Sequence, residues 1–171
     1  MTDVHSPNRP VLLVDDEEQS LTSFEMALRS VNLNHFIKCR DSRDVIPLLT
    51  KQEVEIILLD LRMPYITGDE LLPLITPDFP QVPVIVITGA NDVETAVKCM
   101  KLGAFDYMVK PVERSRLIGG VKRAIELREL QRENRLLRAQ VLSDKLEHPE
   151  VFSGIVTCSA RMRSIFQYVE A

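Results

Sequence analysis

Ile56-Ile57-Leu58-Leu59-Asp60 is an unbroken aliphatic run delivered onto a carboxylate. A strand with one wet face alternates apolar and polar residues. A continuous aliphatic run of this length therefore belongs to a strand covered on both faces, as in a parallel sheet between two helix layers. The pattern recurs on either side of it. Val11-Leu12-Leu13-Val14 leads into Asp15-Asp16, Val84-Ile85-Val86-Ile87 into Thr88, and Met108-Val109 into Lys110. Asn34-His35-Phe36-Ile37-Lys38-Cys39 is a further, less apolar run, which suits a strand at a sheet edge. In open α/β sheets ligands collect at the carboxyl ends of the strands. Three carboxylates, a hydroxyl and an ammonium brought to that edge describe a cation and an oxyanion held side by side.

Segments with helical spacing separate these runs, so strand and helix alternate, the signature of a doubly wound α/β domain. The spacing predicts helices over about 17–30, 42–51, 69–75 and 92–102, and a last strand from Phe105 to Val109. Pro73 and Pro77 predict a short or irregular third helix, because proline removes a helical donor and clashes with the preceding turn.

At 171 residues the chain has room for one ordinary domain and an appendage. A net charge of -4 gives no argument for a general nucleic-acid or membrane-surface binder. Cys39, Cys99 and Cys158 are far apart and form no CxxC, which points to buried thiols in a reducing cytoplasm and not to a disulfide framework or a zinc site. The segment from Met1 to Pro10 is polar and is expected to be disordered through residue 9; no run reaches the ~18 apolar residues of a membrane span. A soluble cytoplasmic protein without membrane contact is expected.

From Val112 the composition turns to a long charged stretch without proline until Pro149, and it should be helical. Residues 113–148 hold nine Lys/Arg and six Asp/Glu, a local charge near +3 against -7 for the remainder. Taking Leu127 as heptad position a places Leu130 and Leu137 at d, and Asn134 and Val141 at a. An asparagine at a single a position favours a two-stranded coiled coil in one register. Glu133 at g and Arg138 at the following e suit a parallel partner. The competing reading is an amphipathic helix lying on its own domain. Gly119-Gly120 weakens the helix by about 1 kcal/mol per glycine relative to alanine and is expected to mark a flexing point between domain and coil.

Each strand-end residue has a plain explanation taken singly. Asp15-Asp16-Glu17-Glu18 would cap the first helix, Asp60 would serve a turn, Thr88 would cap the fourth helix, and Lys110 would be a solvated strand end. Their meeting at one edge argues for shared chemistry instead. Magnesium takes oxygen ligands in octahedral geometry, one or two of them protein carboxylates. Asp16 and Asp60, with Asp15 acting through water, are candidates. An aspartate is a competent nucleophile for an acyl phosphate, and Lys110 and Thr88 are the residue types that offset charge on, and contact, a transferred phosphoryl group.

These residues resemble the receiver domain of two-component response regulators over about residues 10–125. The resemblance rests on Val14-Asp15-Asp16-Glu17, on Asp60-Leu61-Arg62-Met63-Pro64 with Gly68, on Thr88-Gly89-Ala90, and on Phe105-Asp106-Tyr107-Met108-Val109-Lys110-Pro111. It implies a flavodoxin-like sheet of five parallel strands in the order 2-1-3-4-5. It further implies phosphorylation at Asp60, magnesium held by Asp15, Asp16, Asp60 and the Arg62 backbone carbonyl, a phosphate contact from Lys110, a switch at Thr88 and Tyr107, and a cis Lys110-Pro111 bond. Tyr65 departs from it, standing where many receivers carry glycine.

Phe152-Ser153-Gly154-Ile155-Val156 and Ser159-Ala160-Arg161-Met162 resemble the opening of the AAA+ ATPase domain of NtrC-like activators of sigma-54 polymerase. The resemblance implies a receiver over 10–125, a dimerising coiled-coil linker over 126–148 built on Leu127, Leu130, Asn134, Leu137 and Val141, and a truncated ATPase start over 149–171. No GxxxxGK occurs in these residues, so no ATPase is expected of them. The partners implied are a sensor histidine kinase and a second copy of the chain, with sigma-54 polymerase and DNA engaged through other domains. Two readings compete: an aspartyl-phosphate phosphatase of related topology, which would want an acid where Arg62 stands, and a basic-region DNA binder using Arg114 to Arg138.

Overall fold

The computed structural model describes residues 9–89 and 93–141, together with Met162 and Ile165. The expected disordered N-terminus up to residue 8, Ala90, the end of the linker and the ATPase-like start lie outside the described residues, with Met162 and Ile165 excepted; Arg9 is described. The chain divides at Arg128–Glu129 into two compact units.

The first unit contains one parallel sheet. Its strands are β1 (Val11–Val14), β2 (Phe36–Cys39), β3 (Ile56–Leu59), β4 (Val84–Thr88) and β5 (Asp106–Val109), in the order β2-β1-β3-β4-β5. The order 2-1-3-4-5 is the one expected, and β2, the least apolar run, lies at an edge. Every residue of β1, β3 and β4 is buried. Side chains alternate between faces along a strand, and here both faces are covered. Leu12, Val14, Ile57, Leu59, Val84 and Val86 pack with Val45 and Leu49 of α2 (Val45–Lys51), Leu71, Leu72 and Ile75 of α3 (Gly68–Asp78), and Cys99 of α4 (Val93–Lys101). Val11, Leu13, Ile56, Leu58, Ile85 and Ile87 pack with Leu21, Phe24 and Leu28 of α1 (Glu18–Arg29), and with Leu117, Val121, Ala124 and Ile125 of α5 (Arg114–Val141). Cys39 and Cys99 are buried thiols.

Three expectations need correction. The segment 42–51 is a 3-10 turn, Ser42–Asp44, followed by α2, and not one helix. The third helix is longer than the prolines suggested, running to Asp78 with Pro73 and Pro77 inside it. Each interior proline costs about 3 kcal/mol, but Leu71, Leu72 and Ile75 are fully buried, and each contributes about 1.5–3 kcal/mol on burial. The Glu70 carboxylate also accepts the backbone N–H and the hydroxyl of Thr67 at the helix start.

Gly119-Gly120 is not a flexing point: both lie inside α5. A Cβ on Gly120 would fall 2.3 Å from Met108 Cε on β5, whereas one on Gly119 would meet only the tip of Arg123. Gly120 lets the helix approach the sheet, and Leu117, Val121 and Ala124 seat it there. Farther on, the Arg128 side chain is buried; its guanidinium donates to the carbonyls of Val54 and Glu55 at the entry to β3.

Residues 131–137 of α5, within the second unit, are all exposed. Among the described residues, no helix is long and apolar enough to cross a membrane.

Candidate functional site

Parallel pairing in register brings the strand ends level. Val14 pairs with Leu59, Leu59 with Val86, and Thr88 with Val109. One residue beyond, the Asp60 N–H donates to the Val14 carbonyl at 2.9 Å, and the Lys110 N–H donates to the Thr88 carbonyl at 2.8 Å. The residues that end four separate aliphatic runs thus meet at one edge.

Asp15 and Asp60 are buried, and Asp16 is half-buried. One carboxylate oxygen from each lies within 4.8 Å of the others. The Lys110 ammonium donates to Asp15 Oδ2 at 2.7 Å and to Asp60 Oδ2 at 2.8 Å, and stands 3.9 Å from Glu17 Oε2. The other oxygens are also engaged: Asp15 Oδ1 accepts the Glu17 N–H at 3.0 Å, and Asp60 Oδ1 accepts the Arg62 N–H at 3.2 Å. Burial pushes the Asp15 carboxyl above its ordinary range, although Lys110 and the Glu17 amide pull the other way. Burial by itself would lower Lys110, but its hydrogen bonds to Asp15 and Asp60 outweigh it and hold the ammonium above its ordinary value.

The Lys110 ammonium thus binds two of three clustered carboxylates, and taking charges out of water is costly unless they are matched. The donors are all hard oxygens, the set that suits magnesium, so the residues present fit the expected cation. The plain reading of Asp15 as a helix cap does not hold, because Glu17 holds the N-cap position of α1, without a side-chain cap bond, and the Asp15 side chain turns to Lys110.

The remaining residues named by the resemblance are placed as follows. Thr88 is fully buried at the end of β4, not a cap. Tyr107 is half-buried and packs against the core shared with α2, α3 and α4. The Lys110-Pro111 peptide is cis. Gly68 starts α3 against the site: a Cβ there would fall 2.3 Å from the Asp60 carbonyl oxygen. Leu127, Leu130 and Leu137 are exposed along α5, as is Asn134; the Val141 side chain lies outside the described residues. Glu17 stands 3.9 Å from the Lys110 ammonium, a contact the sequence does not disclose, because an acidic first turn reads as an ordinary helix start.

The response regulator receiver domain family model matches residues 11–122. The chain belongs to this family. A putative NtrX-like response regulator of Rickettsia felis is 36% identical over 139 residues, 80% of this receiver chain and 29% of that protein. The C4-dicarboxylate transport transcriptional regulatory protein DctD of Pseudomonas aeruginosa is 33% identical, over 93% of the chain and 33% of that protein. The chain therefore spans about a third or less of these relatives. Among solved structures, the beryllofluoride-activated NtrC4 receiver domain dimer superposes with a TM-score of 0.65 at 33% identity, covering 70% of this chain and 98% of that one.

Proposed function

We propose that this receiver is a phosphorylation-dependent switch of a two-component system, accepting a phosphoryl group on Asp60 from a sensor histidine kinase. The observation that carries this reading is the Lys110 ammonium placed between Asp15 and Asp60, 2.7 and 2.8 Å from their oxygens. Asp15, Asp16, Asp60 and the Arg62 backbone carbonyl would hold magnesium, which supplies charge to offset the phosphoryl oxygens. As the P–N bond of a phosphohistidine breaks, a P–O bond forms to the Asp60 carboxylate. Lys110 stays paired to the site and balances the added charge. An open groove of about 780 Å³ lies beside the site, lined by Ser20, Phe24, Lys110, Pro111 and Val112 among others, and would give the phosphoryl donor access.

The new charge acts on Thr88 and Tyr107, which remodel the face made by α4, β5 and the start of α5. Leu127, Leu130, Asn134, Leu137 and Val141 would pair two chains as a coiled coil in the cytoplasm, and the remodelled face would strengthen or weaken that pairing. Similarity to DctD and the NtrX-like regulators supports an output through a sigma-54-dependent AAA+ activator domain, with polymerase and DNA contacted by other parts of such a protein. Acetyl phosphate with magnesium should add one phosphoryl group, mapped to Asp60 by mass spectrometry. Equal labelling of Asp60→Asn would sink the assignment. Tighter self-association on beryllofluoride would show that phosphorylation builds the dimer; looser association would show that it breaks an inhibitory one.

A further inference from the structure

The loop between β3 and α3 brings one backbone group of the site to Asp60. Its Arg62 N–H donates to Asp60 Oδ1. Its base is closed by the Gly68 N–H on the Leu61 carbonyl at 2.9 Å, and Leu61 and Met63 are buried. The tip is strained. Tyr65 has φ of 72°, a left-handed backbone and an outlier for a bulky residue. The Ile66 N–H donates back to the Pro64 carbonyl at 3.0 Å, closing a γ-turn of the rare, positive-φ kind. Such a conformation persists only where its surroundings over-determine it.

Those surroundings come from the turn after β2, more than twenty residues earlier. Ser42 is 1% exposed; its hydroxyl donates to the Pro64 carbonyl at 2.7 Å and accepts the Ile66 N–H at 3.0 Å. One hydroxyl therefore holds both peptide groups that flank Tyr65. The adjacent Arg43 guanidinium stacks 3.8 Å from the centroid of the Tyr65 ring, which is itself 70% exposed. Asp41 grips that guanidinium with both carboxylate oxygens, at 2.9 and 2.6 Å. The device is a template: Ser42 fixes the turn, and Arg43, oriented by Asp41, covers it.

We infer that Ser42 is a positioning residue for the Asp60 site, holding the tip of the β3–α3 loop so that the Arg62 peptide group stays against Asp60. The inference rests on the reading of Asp60 as a magnesium-assisted phosphoryl acceptor. Its consequence is specific. The clamp is needed because Tyr65 is not glycine, so a glycine at 65, which adopts positive φ at no steric cost, makes the hydroxyl dispensable.

The test titrates the whole chain with magnesium, followed by amide NMR, and measures hydrogen exchange at Arg62 and Ile66. It compares wild type, Ser42→Ala, Tyr65→Gly and the double variant. Removing a group that orients a metal ligand typically weakens affinity about 10–100-fold. We expect about a tenfold loss in Ser42→Ala, at the low end because the hydroxyl acts through backbone, with faster exchange at both amides. Tyr65→Gly alone should keep wild-type affinity, and the double variant should recover it. Unchanged affinity in folded Ser42→Ala, or a loss that Tyr65→Gly does not repair, overturns the inference. Should Ser42→Ala fail to fold, the double variant decides: wild-type affinity supports the clamp, and weakened affinity overturns it. A wild type that binds no magnesium would overturn the reading of the site itself, an outcome distinct from all of these.

Discussion

Lys110 Nζ lies 2.8 Å from Asp60 Oδ2, fifty residues apart in the chain, and the same ammonium donates to Asp15 Oδ2 at 2.7 Å. Removing it leaves Asp15 and Asp60 buried and unmatched. Breaking a buried pair by deleting one partner costs about 3–5 kcal/mol. Lys110→Met should lose stability of that order in metal-free urea unfolding, read as a lower midpoint at constant slope. Saturating magnesium should return part of it, because a ligand that binds the native state alone stabilises it by mass action. An equal loss with and without magnesium would show that the ion does not share the site with Lys110.

Gly68 should resist any side chain. A Cβ there would meet the Asp60 carbonyl oxygen at 2.3 Å and Leu61 Cα at 2.7 Å, and backbone cannot swing aside. Gly68→Ala should cost about 1–3 kcal/mol or more, the range for overpacking, and should also slow phosphorylation by displacing Asp60. A variant with wild-type stability and labelling rate would contradict the contact.

The two glycines of α5 should part company. Gly119→Ala meets only the Arg123 tip and should gain most of the roughly 1 kcal/mol by which alanine exceeds glycine in a helix. Gly120→Ala must move the terminal methyl of Met108 within a buried place, so part of that gain is lost. Thermal unfolding should rank Gly119→Ala above Gly120→Ala. Equal effects would contradict the packing role of Gly120.

Lys98 Nζ donates to Asp69 Oδ2 at 2.6 Å, tying α4 to α3. The Lys98 hydrogen bond, with help from Thr67, holds the Asp69 carboxyl below its ordinary value, and Asp69 holds Lys98 above its own. A lowered carboxylate contributes stability that is present above its unfolded pKa and lost as pH falls through the folded one. A raised lysine contributes stability that is present below its unfolded pKa and lost at alkaline pH. The difference between wild type and Asp69→Asn should therefore be flat across neutral pH, vanish below the ordinary aspartate range, and shrink in high salt. A difference that grew on acidification would contradict the pairing.

Much of the site was legible in the chain because its members are strand ends. Asp15, Asp60, Thr88 and Lys110 each terminate an aliphatic run, and a parallel sheet covered on both faces brings such ends to one edge. The strand positions, the edge placement of β2 and the acidic cluster follow from local sequence, since burial of both faces of β1, β3 and β4 forces continuous aliphatic residues. Helix limits were less legible: α3 passes two prolines because the burial of Leu71, Leu72 and Ile75 outweighs a local penalty.

What tertiary structure alone decided are contacts between residues remote in the chain and unremarkable in themselves. Ser42 looks like any turn serine until its hydroxyl is found on the peptides flanking Tyr65, and Arg128 like any charged helix residue until its guanidinium caps the Val54 and Glu55 carbonyls. Gly120 reads as a weakness in a helix until Met108 is found where its side chain would be. Hydrophobic periodicity is a local signal and specifies elements. A single hydrogen bond or close approach leaves no periodic trace, so its partner emerges only when the chain is folded.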